Sequence, residues 1–247
     1  MRRLVYAVLR VPDEGPDALS TPAQVKCHIS GELGVAYSET EVDALTPTVQ
    51  RLKAFAEMVD KLHRRFTVVP FRYGCALDSD DQLAELLAER RPAWLAALDS
   101  VARCDEYSVH LLPSSGSAGG NSTAETDQTA PARSQTAARP GTAYLLARQA
   151  EMARAAGHQK HARDRAEKVR RALEGHYRGY HFDPDAARPG ELLTLVFLVP
   201  RASKAAFLQA IDQLPEMSSE QVLTTGPWPP YNFVDPVAKL DTGANHG

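Results

Sequence analysis

Pro113-Ser114-Ser115-Gly116-Ser117-Ala118-Gly119-Gly120 opens a run, continuing to Pro140, that is dominated by Ser, Gly, Thr, Ala and Pro. It holds no apolar residue larger than alanine. Nothing in such a run offsets the entropy of ordering it, so residues 113–140 read as a flexible, low-complexity linker. It divides the 247-residue chain into an N-terminal block, 1–112, and a C-terminal block, 141–247, each near the usual size of a domain.

In the first block, Leu4 to Val11 is rich in β-formers, and Val25 to Ile29 and Leu33 to Tyr37 flank Ser30-Gly31, a hairpin turn. Thr46 before Pro47 reads as the cap of a helix whose Leu52, Phe55, Val59 and Leu62 form one apolar stripe. Thr67 to Tyr73 reads as the next strand, and Ser79 with Gln82 as a capping box for a helix that Pro92 should kink or divide. A strand over Tyr107 to Leu112 is expected to complete the block. In the second block, Thr142 opens a helix through about Tyr177, with Ala162, Ala166, Val169, Leu173 and Tyr177 on one face. Leu192 to Val199 reads as a buried strand, Ser203 to Leu214 as a short helix and Gln221 to Thr225 as a last strand. The fold class is α+β.

Lys+Arg 28 against Asp+Glu 31 gives a formal net charge of -3, which argues against a surface built throughout for nucleic acid or anionic lipid. The basic helix stretch Arg163 to Arg171 is interleaved with Asp164 and Glu167 and has no aromatic placed to stack on bases. No apolar run reaches the roughly 20 residues needed to cross a bilayer, and Arg10 interrupts the N-terminal run too early for a signal peptide. Cys27, Cys75 and Cys104 fit no metal or disulfide spacing and suit a reducing cytoplasm as buried thiols.

Phosphate-loop, dinucleotide and serine-hydrolase motifs are absent, and no Ser/His/Asp or Cys/His set assembles, so neither an enzymatic activity nor a cofactor is expected. His158 and His161 share a helix face without a third ligand, and Asp78, Asp80 and Asp81 stand where a helix N-terminus favours negative charge. Three segments stand out instead. Val68-Val69-Pro70-Phe71-Arg72-Tyr73-Gly74 places a proline in a strand, which suits an edge or a bulge, with Arg72 opposite Phe71 and Tyr73. Pro140-Gly141-Thr142-Ala143-Tyr144-Leu145-Leu146 is a helix entry. Thr225-Gly226-Pro227-Trp228-Pro229-Pro230-Tyr231-Asn232-Phe233 cannot continue a central strand; it reads either as a clasp whose aromatics pack back on the fold or as an exposed polyproline ligand.

In this order the three segments resemble the gas vesicle protein F/L family (GvpF/GvpL), as T-V-x-P-x-R-F-G, P-G-T-A-Y-L-L and T-G-P-W-P-P-Y-S/N-F-V. Arg188-Pro189-Gly190-Glu191 and the strand ending Leu198-Val199-Pro200 extend the similarity over nearly the whole chain. Where the family often carries a His-Glu pair in the first helix, this chain has Phe55-Ala56, so no role of that pair is carried over. The resemblance implies two ferredoxin-like α+β domains and a non-enzymatic, cytoplasmic accessory role in building gas vesicles. The partners it implies are the gas vesicle shell protein of GvpA type and other vesicle accessory proteins, with no nucleic acid and no membrane. A small, very apolar shell protein exposes strand edges and hydrophobic faces before assembly, and a soluble partner that covers them prevents aggregation during nucleation. The protein then ranks as an assembly chaperone and a candidate minor vesicle component, or alternatively as a structural adaptor for other accessory proteins. Pro70, Arg72 and Tyr73 of the strand and Trp228, Pro230 and Tyr231 of the aromatic-proline segment are the expected partner-binding residues.

Overall fold

The structure, a computed structural model, describes residues 1–12, 21–22, 24–113, 140–184, 192–214 and 220–238. The expected linker, apart from its end residues, lies outside the described residues, as does Arg188 to Glu191. The first sheet is ordered β2-β3-β1-β4, from β1 (Arg2–Arg10), β2 (Lys26–Ser30), β3 (Leu33–Thr40) and β4 (Val68–Pro70). The two-residue β5 (Ala76–Leu77) also pairs with β1. Each side of this sheet meets helices. Phe55, Val59 and Leu62 of α1 (Val49–Arg65) pack with Tyr6, Leu9 and Val68 on one face. On the other, Leu83 and Leu87 of α2 (Asp80–Glu89) and Trp94 and Leu98 of α3 (Arg91–Val101) pack with Val8, Val35 and Val69.

Local signals explain these boundaries. Ser79 caps α2 by accepting from Gln82 N at 3.2 Å, and Pro92 in the first turn of α3 divides the two helices at Arg90. The cap of α1 is Thr48, not Thr46: its side chain accepts from Arg51 N at 3.3 Å, and Pro47 precedes the helix after a 3-10 turn over Val42–Leu45.

The second sheet runs β7-β8-β6-β9, from β6 (Cys104–Pro113), β7 (Gly179–His181), β8 (Leu193–Pro200) and β9 (Glu220–Trp228). All its pairings are antiparallel. Ala162, Ala166, Val169 and Leu173 on and just beyond α4 (Pro140–Ala172), with Phe207 and Ile211 of α5 (Lys204–Asp212), cover one face. That face carries Tyr107, Val109, Leu111, Leu195 and Phe197. The strand expected to complete the N-terminal block is therefore a central strand of the other sheet. The chain passes from α3 into it at Arg103, a non-glycine residue with φ +56°. The first sheet also departs from the expected ferredoxin-like pattern, in which both helices lie on one face.

Candidate functional site

The proline of β4 stands at a sheet edge, where a missing N–H disturbs no ladder. Pro70 is buried opposite Ala7, and Phe71 N–H then donates to Tyr6 O at 2.9 Å. The chain then bulges away from β1 through residues 72–75, turning at Gly74 with φ +96°, before β5 rejoins the edge with Ala76 opposite Leu4. The expected alternation, with Arg72 opposite both Phe71 and Tyr73, does not hold, because the chain leaves the strand after Pro70 and the two aromatics enter cores on opposite faces of the sheet. Phe71 packs in the core 5.8 Å from the Trp94 ring, Tyr73 meets Phe55 edge-on at 5.4 Å, and Arg72 is exposed.

The aromatic-proline segment behaves differently from expectation in its first half. β9 continues through Gly226 and the cis Gly226-Pro227 bond to Trp228, which its place at the edge of the second sheet permits. Gly226 has φ +129°, and a Cβ there would lie 2.8 Å from Glu106 O. In its second half the chain folds back. Pro229 and Pro230 are buried, and α6 (Tyr231–Ala238) packs against β4, α3 and β7. Val234 joins the core of Trp94 and Leu98, and Phe233 abuts Gly179, where a Cβ would lie 3.0 Å from the ring. Tyr231 packs against the α1-side core, beside Tyr73. The clasp reading thus describes residues 229–234, and Trp228, 49% exposed, is the aromatic left at the surface.

Of the six candidate residues, the fold brings the strand and the clasp together. It buries Pro70 and Pro230, half-buries Tyr73 and Tyr231, and exposes Arg72 and Trp228. Burial, with the nearby Glu106, pushes the Tyr231 hydroxyl up to about 12, against the pull of the Arg72 charge. Glu106 is itself buried and accepts from Asn232 N at 2.9 Å and Asn232 Nδ2 at 2.7 Å. Burial raises its carboxyl above the ordinary range despite these two bonds.

A second polar cluster joins the two sheets, and none of its members stood out in the sequence. Asp105 Oδ1 accepts from His63 Nε2 at 2.8 Å and from Arg201 Nε at 2.9 Å, while Arg201 NH2 donates to His63 O at 2.7 Å. Burial pushes the Asp105 carboxyl up, but the bonds from His63 and Arg201 outweigh it and hold the group below its usual range. A cavity of about 160 Å³ beside it is lined by Asp60, His63, Arg64, Asp105, Arg201 and Pro227. Its cationic and anionic groups face one another, which suits a structural joint better than a charged ligand. The one available signal was Asp105-Glu106, adjacent acids at the mouth of a strand.

Elsewhere, at the end of the basic face of α4, Glu167 pairs with Arg170 and Arg171, each at 2.7 Å, and they hold its carboxyl down to about 2. Asp80 and Asp81 occupy the first turn of α2, and Arg2 and Arg3 pair with Asp78 and Asp80. His158 and His161 are exposed on α4. Among the described residues no group of three or more metal-ligand side chains occurs, and no helix is long and apolar enough to cross a membrane.

The family model for gas vesicle synthesis protein GvpL/GvpF matches residues 2–235. The chain belongs to the GvpL/GvpF family. It is 26% identical over 242 residues to gas vesicle protein F of Streptomyces sp. (strain CB03234), covering 95% of this chain and 100% of that one. To gas vesicle protein L2 of Halobacterium salinarum it is 26% identical over 206 residues, 78% of this chain and 74% of the other. The crystal structure of GvpF from Anabaena sp. PCC7120 superposes with a TM-score of 0.69 at 14% identity, over 97% of this chain and 98% of that one. GvpF from Microcystis aeruginosa gives 0.67 at 14% identity, over 94% and 98%. The mixed α+β fold with two antiparallel sheets is thus shared with GvpF structures, and the protein is one of a family involved in gas vesicle formation.

Proposed function

We propose that this protein binds the hydrophobic gas vesicle shell protein, of GvpA type, in the cytoplasm, keeps it from aggregating and assists vesicle nucleation without catalysing a reaction. The observation that carries this reading is the family match across residues 2–235. The physical need supports it, since an apolar shell subunit with open strand edges aggregates unless covered. We place the binding surface along β4, the turn after it and the Trp228 to Phe233 segment, with Arg72 and Trp228 the exposed ones of the six candidate residues. We also read the chain as two units, each built on one sheet, the second of ferredoxin-like type.

Co-expression with the shell protein of the same gene cluster, followed by pull-down, tests the reading. Retention together with a gain in soluble shell protein supports it. Absence of association at low and moderate salt overturns it and moves the role to an adaptor for other accessory proteins. Trp228→Ala and Arg72→Ala are expected to weaken retention several-fold with an unchanged far-UV CD spectrum; a lost spectrum would instead assign these residues to the fold.

A further inference from the structure

Most sheet edges among the described residues are protected against recruiting a foreign strand. β2 carries Lys26, paired with Glu39 at 2.8 Å, β4 is three residues long and ends in Pro70, and β7 is three residues long. Charge, proline and shortness are the usual means of blunting an edge. β9 differs. Gln221-Val222-Leu223-Thr224-Thr225 is an uncharged run, proline enters only at 227, and among the described residues no strand pairs with its far side.

The side chains beside this edge are held in place. Register sets Leu223 opposite His110, Thr225 opposite Ser108 and Trp228 opposite Glu106, all on the face turned away from α4 and α5. His110 bridges Thr194 Oγ1 at 3.0 Å and Thr225 Oγ1 at 3.3 Å, and Trp228 Nε1–H donates to Thr225 Oγ1 at 3.4 Å. Leu223 is 54% exposed and Trp228 49% exposed, so two apolar groups bracket an ordered polar centre.

We propose that the edge of β9, unpaired among the described residues, receives an extended, uncharged strand of the shell protein by strand addition, with Leu223 and Trp228 packing against its alternate side chains. This rests on the shell-protein binding proposed above. Backbone hydrogen bonds supply affinity in this mode and side chains at alternate positions supply selectivity. A run without charge over residues 221–225 offers nothing to hold a charged peptide, and Leu223 and Trp228 favour an apolar one. The mode also extends the binding surface from the clasp along the adjoining strand.

Amide hydrogen exchange of the full chain, alone and co-purified with the shell protein, tests the proposal together with Leu223→Lys and Leu223→Thr. Expected are slowed exchange over residues 221–225 in the complex and a tenfold or greater loss of retention for Leu223→Lys. Leu223→Thr, which adds no charge and suits a strand, should lose only a few-fold. Retention by the wild type, with unchanged exchange in 221–225 and full retention by Leu223→Lys, overturns strand addition and leaves shell binding standing. Failure of the wild type to retain the shell protein overturns the underlying reading itself. Slowed exchange in 221–225 without shell protein, accompanied by a dimer mass in light scattering, assigns the edge to a second copy and also overturns the proposal.

Discussion

Asp105 is where α1, β6 and the turn after β8 meet, and its carboxylate holds both a buried imidazole and a half-open guanidinium. Replacing it with alanine lets Arg201 return to water but strands His63, 5% exposed, without its acceptor. A buried group left unpaired costs about 1–3 kcal/mol, so Asp105→Ala should lower the urea midpoint by a corresponding amount. The pH dependence follows from the sign of the shift. Because the native carboxyl lies below its usual value, its contribution is present above the unfolded value near about pH 4 and is lost as pH falls through the native one. Asp105→Asn, which cannot titrate, should therefore show a shallower acid limb in denaturation curves measured between pH 6 and 2. Beyond the adjacent acids Asp105-Glu106, sequence patterns gave no access to this cluster, since His63, Asp105 and Arg201 are far apart in the chain.

Among the elements, those decided by near neighbours were legible. Ser79 with Gln82, Pro92 and the apolar stripe of α1 each act within a few residues, and each appears where the pattern put it except for Leu52, the first residue of the stripe, which is exposed. Pro70 was readable as an edge residue because the lack of an N–H constrains a strand whatever surrounds it. The same rule holds for β9, which runs past Gly226-Pro227 as an edge strand with a partner on one side only; what the pattern misplaced was its end, expected at Thr225 and found at Trp228. Gly226 is the hinge of that passage. Gly226→Ala meets both an unfavourable φ and the Glu106 carbonyl, and a loss of about 1–3 kcal/mol is expected by chemical denaturation. If the cost falls on the clasp, near-UV CD from the aromatic residues around α6 should change before the far-UV signal does.

For the molecule as a whole, the low-complexity stretch marked a break in composition but not a division between sheets, because β6 lies before it and pairs only with strands after it. Nothing local in Tyr107 to Leu112 says which sheet it enters; that is settled by the apolar face of β8 and by helices distant in the chain. Fragments 1–112 and 141–247 are accordingly expected to lack a cooperative thermal transition when made separately, the first holding a strand without neighbours and the second a sheet without its centre. Co-expression of the two should restore one.

The placement of β6 also governs the order in which the chain matures at the ribosome. This strand emerges early and waits until β8 and then β9 have been synthesised, and the first core closes only when Val234 arrives near the carboxyl end. The first sheet has all its strands once β5 is made, but the second stays incomplete until β9 follows, so a chain released between the two presents bare strands of its own and becomes a client for quality control.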